Sequence, residues 1–126
     1  MSVSVGSLAR EVVLLVQVLR GWAGSSWEVP AASGLTRAQR TIRLVGELAV
    51  LGERAGVGAP PGISPPRLAP HALPDQVAVL AEELLAVLDV ADPTHPPGHQ
   101  ILLDTHAAVT DARADLDGAG FGFRLR

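Results

Sequence analysis

Along the N-terminal segment, Val5, Leu8, Val12, Leu15, Leu19 and Trp22 recur at alternating spacings of three and four. That is one face of an α-helix, and Val13, Val16 and Val18 widen the stripe until burial on most sides is expected. The β-branched valines favour a strand pair, but the length and unbroken phase over 4–23 favour a helix. The turn-rich stretch GSSWEVPAASG follows. Thr36 then opens a second helix over 36–55, with Gln39 three residues on in the reciprocal capping arrangement. Its stripe reads Leu35, Ala38, Ile42, Val45, Ala49, Gly52. With Gly46 it is rich in small residues, which predicts close approach of another backbone, from the same chain or from a partner.

Residues 56–73 carry five prolines and three glycines, so no regular helix crosses them. They read as a semi-rigid crossover with one short turn near Ser64. A third helix is expected over 74–90, with Pro74 in its first turn, Val77, Leu80, Ala81, Leu84 and Leu88 inward, and Glu82 and Glu83 outward. A fourth, over 99–117, places Leu102, Thr105, Val109, Ala112 and Leu116 on one face. The tail 118–126 changes to a period of two, with Phe121, Phe123 and Leu125 alternating with Gly122 and Arg124. The expected fold is all-α: a four-helix bundle of two helical hairpins joined by the Pro/Gly-rich crossover, in one domain, with a short extended tail.

Composition narrows the function classes. Hydrophobic residues make up 48% of 126 residues and aromatics only 3%, so the core must be built of Leu, Val and Ala. Cysteine is absent, which removes disulfides, thiolate metal sites and cysteine nucleophiles. All ten basic residues are arginine, a bias that fits a GC-rich bacterial genome. The net charge of −3 is unevenly placed: residues 1–73 hold seven arginines and four acids, residues 74–126 three and nine. The halves therefore attract, and Asp111, Asp115 and Asp117 read as a solvated face or as mates of Arg37, Arg40 and Arg43. That arginine row lacks an aromatic stacking platform, so nucleic-acid binding is not expected. The most apolar run, Val12 to Leu19, is too short to span a membrane and lacks the basic flank of a signal peptide. A cytoplasmic location is the expectation.

Three of the four histidines fall in PTHPPGHQILLDTH, residues 93–106. A His–Asp pair there would suit a metal or a general base, but Asp104 and His106 are about 200° apart around a helix. His99 and His106 share a face yet are separated by roughly 10.5 Å along the axis. His95 and His99 remain the one plausible chelating pair. No bundle metal motif, nucleophile elbow or phosphate loop is present, so no cofactor and no catalytic residue is expected. The leading expectation is a non-catalytic protein-interaction protein, a homodimer or small subunit or adaptor of a larger bacterial assembly, with Arg37, Arg40, Arg43, Gly46, Gly52, Phe121 and Phe123 as interface residues. The alternatives are a small-ligand or metal-dependent bundle enzyme using His99 and His106, and an antitoxin or immunity-type regulatory binder.

Overall fold

The structure is a computed structural model, and it describes residues 3–58, 60, 62–90 and 96–119. Four helices, α1 (Val5–Arg20), α2 (Arg37–Ala55), α3 (Leu73–Val90) and α4 (Pro96–Ala119), account for most of it. Ser4 caps α1, its hydroxyl accepting from the Ser7 amide while the Ser7 hydroxyl accepts from the Ser4 amide. Thr36 and Gln39 cap α2 reciprocally in the same way, as the sequence spacing predicts. Gly56 ends α2 at φ +82, a left-handed position that a residue with a Cβ reaches only with strain. Because α1 stops at Arg20, Trp22 lies beyond it. Short 3₁₀ turns occupy Gly24–Glu28 and Pro70–Ala72, so the expected turn at Ser64 sits further along the crossover.

The helices pack as a four-helix bundle, but not as two adjacent hairpins. α1 lies against α3 and α4, and α2 lies against α3 and α4; α1 faces α2, and α3 faces α4, across the diagonals. Ion pairs give the directions. Arg40 near the start of α2 meets Asp115 near the end of α4, and Arg54 at the end of α2 meets Asp104, so these two are antiparallel. Arg20, the last residue of α1, meets Asp75 in the first turn of α3, making α1 and α3 antiparallel as well. α2 and α3 run parallel: Ile42 and Val45 share a hollow with Gln76, and Gly52 and Glu53 share the next one with Leu80 and Glu83.

A crossover is unavoidable between parallel neighbours. Here the segment after Gly56 climbs back between α2 and α3, where the Gln76 side-chain amide donates to the Pro66 carbonyl at 3.0 Å. The interior is aliphatic, built from Leu8, Leu15, Leu19, Leu44, Leu48, Leu84, Val109 and Leu116, with Trp27 the one fully buried aromatic among the described residues. α4 buries Leu102, Thr105, Val109, Ala112 and Leu116, the stripe expected from spacing. On α2 the expected stripe is buried only in part: Val45 and Gly52 lie inside with Thr41, Leu44, Leu48 and Leu51, while Ala38, Ile42 and Ala49 lie on a half-buried flank.

Candidate functional site

The expected arginine row does not form one surface. Arg37 stacks its guanidinium 4.2 Å from the Trp22 ring and donates to the Ser26 carbonyl; burial lowers its pKa from the ordinary arginine value. Trp22 in turn meets Trp27 edge-on at 5.2 Å, so this arginine closes an aromatic latch over one end of the bundle. Arg40 is only 5% exposed and bonds Asp115 at 2.8 Å. Its burial corrects its place as an accessible interface residue: a guanidinium this deep is held inside by its carboxylate mate. Arg43 alone stands exposed, 3.5 Å from Glu47. The reading of the acidic segment as partner of the arginines holds for Asp115, and Asp117 instead lies 3.7 Å from Arg113 on its own helix.

Asp115 is a structural hub. Burial pushes its carboxyl up, but hydrogen bonds from Ser33 and the facing Arg40 outweigh this and hold it below the usual carboxylate value. One oxygen accepts from the Ser33 amide at 2.7 Å, and its backbone carbonyl accepts from Ala32. The connector between α1 and α2 is thereby tied to the end of α4.

Among the described residues, His99 and His106 belong to no cluster that could hold a metal ion. His99 is exposed and His106 half-buried on α4; His95 lies outside the described residues, as do Phe121 and Phe123. Asp104, rather than orienting a histidine, accepts from Gln100 at 2.8 Å and from Arg54 at 2.9 Å, which lowers its pKa. Among the described residues no group of three or more His, Asp or Glu is placed to hold a metal ion, and no helix is long and apolar enough to cross a membrane.

Two features remain as candidates, on opposite sides of the bundle. On α1, Val13 is 54% and Leu14 40% exposed, forming with Ala9, Arg10 and Gln17 a shallow apolar surface. Expected burial on most sides of α1 therefore fails on this one. Glu11 is held by Arg113 of α4 at 2.9 Å and Arg20 by Asp75 of α3 at 3.0 Å, so the rotation of α1 that turns Val13 and Leu14 outward is fixed from both flanks.

The second feature is a cavity of about 370 Å³ between α2, α3 and the crossover, walled by Ala49, Val50, Val57, Ile63 and Leu80. Gly46 and Gly52 line it too, with different roles. A Cβ on Gly52 would meet the Val57 carbonyl at 3.5 Å, an ordinary contact with its own chain, whereas one on Gly46 would meet nothing within 4 Å. The close approach expected from both glycines is found at neither: the neighbour of Gly52 is the chain's own turn after α2 at ordinary contact distance, and Gly46 faces open space. The chain matches no protein-family model, no curated protein and no solved structure, so geometry alone carries the functional reading.

Proposed function

We propose that this chain is a non-catalytic protein-interaction module that self-associates through the outward face of α1, either as a free homodimer or as a subunit of a larger assembly. The observation that carries this reading is the exposure of Val13 and Leu14 on a helix with apolar residues on most of its sides. Such a helix calls for cover on most sides, and the bundle leaves the Val13–Leu14 side of this one open.

A second copy suits the open side. An antiparallel α1 pair about a two-fold axis between Val13 and Leu14 sets each Val13 on Leu14 of the second copy, and sets Arg10 opposite Gln17 and Gly6 opposite Gly21. Arg20 then faces Ser7, so no like charges oppose one another. The contact is small, which places it in the weak, concentration-dependent class.

Light scattering after size exclusion tests it. Dimer is expected to accumulate from the order of 10 µM upward, and Val13→Glu is expected to give monomer at every concentration with its melting temperature unchanged, because residue 13 touches no core group. A wild-type chain that stays monomeric to about 100 µM overturns self-association.

A further inference from the structure

The cavity under the crossover lies on the far side of the bundle from the α1 surface and asks for a different occupant. Its volume of about 370 Å³ falls within the range of small-ligand sites, roughly 300 to 1,000 Å³. The walls are aliphatic, and the backbone of the crossover covers one side. The ionisable residues lining it are Glu53 and Glu83, which approach from two different helices. One oxygen of Glu83 lies against the crossover, 3.9 Å from where a Cβ of Gly58 would stand.

Neither carboxylate has a cationic partner among the described residues. Both are exposed, and Glu28, Glu82, Asp89 and Asp111 are unpaired among those residues as well; what distinguishes Glu53 and Glu83 is that they stand at the rim of this cavity. Val50 and Ile63, 58% and 60% exposed, border the same cavity and supply apolar surface with nothing packed on it. An apolar body and a positive head are therefore what the site lacks, the body for the aliphatic wall and the head for the two acids.

We infer that this cavity binds a small hydrophobic cation, a protonated amine carried on an aliphatic chain. A fatty acid of the same length would bring a like charge to Glu53 and Glu83 and be repelled. A neutral alcohol would gain the wall and forgo the ion pair. The site does not depend on self-association, since α1 contributes nothing to it.

The test is an amide-resolved NMR titration of the full chain at neutral pH with octylamine, octanoate and octanol, each below its micellar concentration. Octylammonium is expected to saturate and to shift Ala49, Glu53, Val57 and Leu80, with octanoate at least about tenfold weaker. In the Glu53→Gln/Glu83→Gln double variant, octylammonium is expected to weaken by about tenfold and octanol to bind as before. Ala49→Phe fills the cavity and is expected to abolish all three, with thermal melting showing that each variant is folded. Equal binding of amine and carboxylate, shifts confined to the α1 surface, an unaltered amine affinity in either variant, or no saturation by the amine would each overturn the inference. The Val13→Glu chain gives the same titration if the site is independent of the dimer.

Discussion

At the scale of single residues, the polar contents of the interior are explained by where their partners lie. Thr41 and Thr105 are buried because each hydroxyl donates to a carbonyl one turn back, Arg37 and Ile101 respectively, so neither hydroxyl is left bare, whereas Trp27 Nε1 and Arg40 Nη1 are buried with no hydrogen-bond partner. Arg40 is buried because Asp115 comes to it from α4. Removing one member of such a pair strands the other without water. Asp115→Ala is expected to cost about 3 kcal/mol in urea unfolding, while Arg40→Met with Asp115→Leu recovers most of that loss. The pH dependence has a defined sign. Since the folded-state pKa of Asp115 lies below its unfolded value of about 3.8, its contribution is full above that value and fades as pH falls through the lower folded one. Acid titration of Asp115→Asn is expected to show a shallower loss of stability below pH of about 4 than the wild type shows. The long-range pairing was legible as a choice between a solvated acidic face and mates for the arginine row; that Arg40 rather than Arg43 is the buried one depends on the rotation of α2, which composition does not specify.

At the scale of elements, the helices that sequence described best are those with a narrow buried arc. On α4 the apolar residues fall on one line, and that line is the core. α2 packs against both α3 and α4, so its covered arc is broad and contains two lines; the one carrying Leu44, Leu48 and Leu51 is buried throughout, whereas the one through Ala38, Ile42, Val45, Ala49 and Gly52 is buried only at Val45 and Gly52. α1 shows the converse, a helix with apolar residues on most of its sides and no neighbour beside Val13 and Leu14, which is why Val13 is exposed where a widened buried stripe was expected. Helix starts were the most readable features, since a cap is a local hydrogen-bonding device. Thr36→Ala is expected to lower stability by about 1 kcal/mol, measured by chemical denaturation, with no change in the self-association of α1. The cavity was not legible as a site, because Glu53 and Glu83 are thirty residues apart in sequence and come to line one cavity only through the parallel placement of α2 and α3.

At the scale of the whole molecule, the class of fold follows from helical periodicity, whereas the seating of the helices does not. Consecutive helices joined by modest connectors are ordinarily neighbours, and that rule suggested hairpins. The length of the crossover carried the contrary information. The nineteen residues of α2 extend about 28 Å, and the proline-rich return, at roughly 3 Å per residue, is long enough to travel that distance and start α3 beside the beginning of α2. Diagonal seating also decides how the chain acquires its structure. Neither sequential pair, α1 with α2 or α3 with α4, has an interior of its own; each half supplies two opposite walls of a single hydrophobic space. Separately expressed halves cut between Gly58 and Gly62 are therefore expected to show no cooperative melting alone and to regain it when mixed in equal amounts, as followed by circular dichroism. Two halves that each melt cooperatively would contradict the diagonal arrangement. Folding of the intact chain must wait for non-local contacts, so its rate is expected to fall below that of an up-and-down bundle of equal length.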